Sequence, residues 1–226
     1  MDKLRFVGLN SSPRRHGNTE ILVKAVLEAA KNECEQRGYE AEIDYVSFYA
    51  KKILPCLNCD GCVINKSYCI LKDDWLDIVK HIIDPVPNGI ILGSPVYFFN
   101  VNSAMRAFME RFTSLVKRIW IPDFPFDIPD WSRTVAGAVT VGYDRNGGQE
   151  IALTTMLQFL ILNGFVVVGP EQYGNGYIGV AGWQMGHDGS DRKAVSDDKI
   201  ALESCKNLGK RIAKTAILLA GKKFDI

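Results

Sequence analysis

Residues 4–30 read LRFVGLNSSPRRHGNTEILVKAVLEAA, and this stretch decides the fold. Leu4–Leu9 is a short, mostly apolar run, as a strand covered on both faces would be. Asn10–Asn18 is polar. After it Ile21, Leu22, Ala25, Val26 and Ala29 recur at helical spacing, up to a stop near Gly38. Buried strand, polar loop and amphipathic helix in that order form the first half of a β-α-β crossover, which lays the next strand parallel to the first.

The pattern repeats outward. Ala41–Val46, Gly89–Ser94, Thr134–Val141 and Phe165–Gly169 read as further strands. Helices are expected over Asp73–Ile83, Asn102–Arg118 and Gly148–Asn163, and from Lys193 to Leu219 with a start nearer Asp197. Strands alternating with helices predict an α/β fold, a flavodoxin-like doubly wound five-stranded parallel sheet, with a cysteine-rich cluster loop (residues 55–70) inserted after the second strand. The length predicts a single domain over residues 1–226. A formal net charge of +1 gives no electrostatic case for nucleic acid or an anionic membrane as partner. No apolar run is long enough for a membrane helix, and the start MDKLRFVGLN lacks the pattern of a secretory signal, so a cytoplasmic protein is expected.

Polar, glycine-rich punctuation falls at the carboxyl ends of three strands, the edge where open α/β sheets bind ligands. The first loop, NSSPRRHGNT, is neither a dinucleotide fingerprint nor a triphosphate loop. It offers Ser11, Ser12, Arg14, Asn18 and Thr19 beside a helix start, which suits a terminal phosphate monoester such as that of FMN. The competing reading is ordinary capping by Asn18 or Thr19. The second loop, SPVYFFN, places Pro95, Val96, Tyr97, Phe98 and Asn100 where a planar ring could be edged or stacked, or it is simply a strand-ending turn. The third, GYDRNGGQ, brings Tyr143, Asp144, Asn146, Gly147 and Gly148. Its glycines permit close backbone approach, and Asn146 and Gln149 carry amides suited to a ring edge.

Cys56, Cys59, Cys62 and Cys69 form the run C-x2-C-x2-C-x6-C. Three thiols two residues apart on a tight loop, with a fourth reaching back, suit a [4Fe–4S] cluster. A zinc ion usually takes two separate Cys-x2-Cys pairs, and a disulfide framework does not fit a cytoplasmic chain. Cys34 and Cys205 read as small buried hydrophobes on helices. Residues 119–131 (IWIPDFPFDIPDW) and 173–198 are elaborated loops, expected to act as a lid or an interface. Tyr97, Trp183 and His187 are the candidates for substrate contact, with no catalytic residue assigned.

The ordered set SSPRRHGNT, cysteine loop, SPVYFFN and DRNGGQE resembles the iron–sulfur flavoprotein family, a branch of the flavodoxin-like, NADPH-dependent FMN reductases. The resemblance covers roughly residues 3–220. It implies FMN in the three loops, a cluster on the four cysteines, and a homodimer or homotetramer that passes electrons from ferredoxin or another low-potential donor to a small-molecule acceptor. Met105-Arg106 stands where that family usually has a leucine-lysine pair. Two alternatives stand beside the relay: an NAD(P)H-dependent reductase of quinone, azo or nitro compounds, and a zinc-stapled non-enzymatic binding module.

Overall fold

The structure, a computed structural model, describes residues 3–127, 129–171, 176–185 and 190–220. Strands β1 (Leu4–Asn10), β2 (Ala41–Ser47), β3 (Gly89–Tyr97), β4 (Asn100–Val101), β5 (Val135–Gly142), β6 (Val166–Val167) and β7 (Val180–Trp183) alternate with helices α1 (Asn18–Gln36), α2 (Gly61–Ile64), α3 (Trp75–Ile83), α4 (Ser103–Glu110), α5 (Thr113–Val116), α6 (Gln149–Leu162) and α7 (Lys199–Ala220). The main sheet runs β2-β1-β3-β5-β6, all parallel, with β4 antiparallel to β3 and β7 parallel to β5. This is the doubly wound, flavodoxin-like order expected from the sequence. Each sheet face buries its own core. Leu22, Val26, Leu208 and Ile212 of α1 and α7 cover one face; Ile78, Phe108, Met156 and Leu160 of α3, α4 and α6 cover the other.

Three expectations need correction. The fifth strand, expected over 165–169, pairs only at Val166–Val167, and Pro170 then brings no N–H to the ladder. The chain returns as β7, inside the segment expected to be a loop, and pairs Val180–Trp183 with Val139–Gly142. The helix expected over 102–118 stops at Glu110, because Arg111 turns inward and the Ser114 hydroxyl donates to its carbonyl at 2.9 Å. A short 3-10 turn over Lys117–Trp120 follows α5. Finally, α7 begins at Lys199. Asp198 caps it by accepting the Ala201 N–H at 3.0 Å, and also accepts the Trp183 N–H of β7 at 2.9 Å.

Candidate functional site

The carboxyl ends of β1, β3 and β5 open on a cleft of about 140 Å³ lined by Ser12, Arg14, Asn18, Thr19, Pro95, Val96, Tyr97, Val141, Tyr143 and Gln184. The first loop is built from its own side chains. Asn10 Oδ1 accepts the Ser12 N–H at 3.0 Å and Ser12 Oγ accepts the Arg14 N–H at 3.2 Å. Glu20 reaches back to accept the His16 N–H at 3.0 Å and binds Lys24 at 2.6 Å. Burial pushes the Glu20 carboxyl upward, but Lys24 and His16 outweigh it and hold the group below its ordinary value.

Capping by Asn18 or Thr19 is not what the structure shows. Gly17 occupies the cap position of α1 with no side-chain bond to the first turn. Asn18 Oδ1 instead accepts the Val195 N–H at 3.1 Å, and the Thr19 hydroxyl has no partner among the described residues. The positive end of a long helix, an unengaged hydroxyl and Arg14 therefore face one cleft, a donor set that fits a phosphate dianion.

Other predicted residues are scaffold rather than lining. Ser11 donates its hydroxyl to the Gly93 carbonyl at 3.2 Å, and its own carbonyl accepts from Asn102 Nδ2 at 2.7 Å, bracing the first loop against β3 and α4. Asn100 Oδ1 accepts from the Val101 N–H and the Thr155 hydroxyl, each at 2.8 Å. Phe98 projects fully into solvent beside the cleft. In the third loop Gln149 accepts from the Gly147 N–H at 2.8 Å and donates to the Asp144 carbonyl at 2.5 Å, so its amide shapes the loop instead of meeting a ring. The side chains of Asp144 and Asn146 are exposed, and Gly148 packs against Phe99. Trp183 lies under the Arg145 guanidinium, 4.5 Å from its ring centre, and outside the cleft lining. His187 lies outside the described residues. Sequence reasoning missed Gln184, which reaches the cleft because its N–H continues the β7 ladder onto the Gly142 carbonyl at 2.9 Å.

All four loop cysteines are free thiols, and they line one small cavity. Asn58 and Asp60 take left-handed backbone conformations (φ 50° and 55°), which Asn and Asp tolerate better than most residues, and this winds the Cys-x2-Cys-x2-Cys turn around the cavity. The Asn58 N–H donates to Cys56 Sγ at 3.4 Å. Burial pushes the Cys62 thiol up, and Lys117 opposes it. Lys117 lines the cavity and donates to Asn58 at 2.6 Å and to Asp60. Among the described residues no group of three His, Cys, Asp or Glu donors is gathered to hold a single metal ion. Four thiols lining one cavity, an N–H donor to sulfur and the neighbouring cations Arg111 and Lys117 are a donor set that fits an iron–sulfur group.

The two sites share a beam. α4 starts beside the second loop, where Asn102 Oδ1 caps it through the Met105 N–H at 3.1 Å, and stops at Glu110, immediately before Arg111, which lines the cysteine cavity.

Comparison with known proteins gives the family. The family model for NADPH-dependent FMN reductases matches residues 4–177. An iron–sulfur flavoprotein of Methanocaldococcus jannaschii is 34% identical over 216 residues, covering 96% of this chain and 99% of its own. One of Archaeoglobus fulgidus is 32% identical over 209 residues, covering 92% and 95%. Among solved structures, RosB with bound 8-demethyl-8-formylriboflavin-5'-phosphate superposes with a TM-score of 0.64 at 16% identity, over 98% of this chain and 82% of that one. The WrbA-like flavodoxin of Agrobacterium tumefaciens gives 0.55 at 18% identity, over 95% and 98%. These two likenesses bear on the fold alone.

Proposed function

The chain belongs to the NADPH-dependent FMN reductase family, in its iron–sulfur flavoprotein branch, and is a flavin-dependent oxidoreductase; from that premise we propose that it holds FMN and a [4Fe–4S] cluster and passes electrons from a low-potential one-electron donor such as ferredoxin to a small acceptor. The observation that carries this reading is the pairing of sites: a phosphate-type cleft and a four-thiol cavity, joined through α4.

When bound, the cluster supplies single electrons and the flavin one or two, so the pair converts between one- and two-electron partners. The chain's own part is placement. Thr19, Asn18, Ser12 and Arg14 would hold the phosphate, while Pro95, Val96 and Tyr97 on one side and Tyr143 on the other would flank the ring. Cys56, Cys59, Cys62 and Cys69 would ligate the cluster. Phe98 and Phe99 beside the cleft, with Ile119 and Trp120 beyond the cavity, expose apolar surface that suits assembly as a homodimer or homotetramer.

Anaerobic reconstitution tests the reading. Flavin absorbance together with four irons and four sulfides per chain is expected, with bleaching by reduced ferredoxin. Protein that takes up neither cofactor overturns it. The half-exposed Tyr97 and Tyr143 leave the mouth of the cleft open, which favours one second reading: direct reduction by NAD(P)H, with a quinone, azo or nitro compound as acceptor. Fast bleaching by NAD(P)H alone would establish that route instead.

A further inference from the structure

Two cations line the cysteine cavity, Arg111 and Lys117, and both are neutralised on the spot. Arg111 pairs with Asp73 at 2.7 Å, and Lys117 is bound by Asp60. Arg118 differs. It is 3% exposed, and among the described residues no carboxylate pairs with it and none of its three guanidinium nitrogens meets a partner in good hydrogen-bond geometry. Aromatic faces enclose it instead: its guanidinium carbon lies 3.9 Å from the ring centre of Tyr68, 4.5 Å from Phe126 and 4.9 Å from Phe124. Tyr68 and Phe126 themselves stack, 4.3 Å apart and 5° from parallel.

Cation–π contacts offset part of the cost of burying a guanidinium, but they do not cancel its charge. Burial lowers the Arg118 pKa, opposed by Tyr68 and Cys62; an arginine starts so high that it stays charged. Its neighbours place it at the cavity. Tyr68 adjoins Cys69, Lys117 precedes it in the chain, and Cys62 is within its electrostatic reach. A full positive charge shielded from water, with no carboxylate partner among the described residues and with Cys62 in electrostatic reach, is an arrangement that stabilises negative charge accumulating at the cavity.

We propose that Arg118, walled in by Tyr68, Phe124 and Phe126, is a potential-setting residue for the group held by the four cysteines. This rests on the cluster reading given above. One-electron reduction at the cavity adds one unit of negative charge while the ferredoxin-class donor loses the same electron, and no proton is required. A fixed cation stabilises the reduced form more than the oxidised form, so its presence raises the reduction potential. The elaborated 119–131 segment thereby acquires a use: two of its aromatic rings keep Arg118 away from water and counter-ions.

The test is an anaerobic potentiometric titration of the reconstituted full chain, followed by electron paramagnetic resonance. Arg118→Gln should lower the reduced-to-oxidised ratio at fixed solution potential about tenfold, which is about 59 mV for one electron. Arg118→Lys should retain most of the wild-type potential, and flavin content should not change. If the Gln variant does not fold, Arg118→Met removes the same charge while filling the cage with an apolar stem. A wild-type chain that takes up no iron and sulfide overturns the cluster reading and this proposal together. A fully loaded Gln or Met variant with the wild-type potential overturns this proposal alone.

Discussion

Asp73 accepts from Arg111 at 2.7 Å and 3.3 Å, with the two side chains 0% and 1% exposed. The same carboxylate takes the Leu54 N–H at 2.8 Å and the Trp75 N–H at 3.2 Å, while Arg111 donates to the Leu54 carbonyl at 3.1 Å. Leu54 and Asp73 are the two feet of the cysteine loop, so the pair clamps the loop shut and fastens it to the end of α4. Arg111→Met strands a buried carboxylate and should cost about 3–5 kcal/mol in chemical denaturation. Replacing both partners by apolar residues should recover only part of this, because the N–H groups of Leu54 and Trp75 then lose their acceptor. A loss below about 1 kcal/mol for the single variant would mean the clamp holds nothing.

The same pair fixes a pH dependence. Burial pushes the Asp73 carboxyl up, but Arg111 and the N–H groups of Leu54 and Trp75 outweigh it and leave the group below its ordinary 3.8. A depressed carboxylate contributes stability that is fully present above its unfolded value and lost as pH falls through the folded one. Without Arg111 the largest opposing influence is removed and burial works to raise the carboxyl. The stability gap between wild type and Arg111→Met should therefore be flat from about pH 6 to 8 and narrow below about pH 4. A gap that widens on acidification contradicts this sign.

How much of this was legible in the sequence depended on distance along the chain. The β1-loop-α1 unit was readable because its periodicity switch and polar loop lie within thirty residues. The division of the edge position between β6 and β7 was not, since β7 is short and its partner lies some forty residues upstream. Ser11, Asn100 and Gln149 were selected by residue type, yet hydroxyls and amides that could bind a ligand serve equally well to satisfy backbone groups. The Arg118 cage joins residues 68, 118, 124 and 126, a contact that no local pattern encodes.

Arg14 and Thr19 give the next expectation. Among the described residues neither side chain has a hydrogen-bond or ion-pair partner within the fold, and both line the cleft. Arg14→Gln should leave thermal stability nearly unchanged and weaken FMN roughly 10- to 100-fold in a fluorescence-quenching titration, the range of a hydrogen bond to a charged group. Ser11→Ala should do the reverse, costing stability with a smaller effect on affinity. Equal affinities in wild type and Arg14→Gln would move the phosphate elsewhere.

Gly148 joins the second and third loops. Its φ is +100°, and a Cβ built there would lie 2.4 Å from Phe99 Cα. Backbone cannot yield as a side chain tip can, so Gly148→Ala should cost about 1–3 kcal/mol and push the two loops apart. FMN affinity should fall while iron content after reconstitution stays at the wild-type level. Loss of iron with unchanged flavin binding would show that the strain travels to the wrong site.

The six cysteines should separate cleanly under alkylation. Burial pushes the Cys34 thiol up to about 11 and the Cys205 thiol up further, and both are 0% exposed. A raised thiol stays protonated below its folded value, and only the thiolate reacts, so neither should be modified at about pH 8 while the chain is folded. The loop cysteines line an open cavity, and Cys59 is exposed, so it should react first. Cys62, pushed up by burial, should follow later. Iodoacetamide on the native metal-free chain should give four adducts by mass spectrometry, all between residues 56 and 69. Anaerobic loading with iron and sulfide should protect those four together. Protection of only some of them would identify a smaller ligand set, and an adduct on Cys205 in the folded chain would mean that α7 opens from α1 far more often than its packing allows.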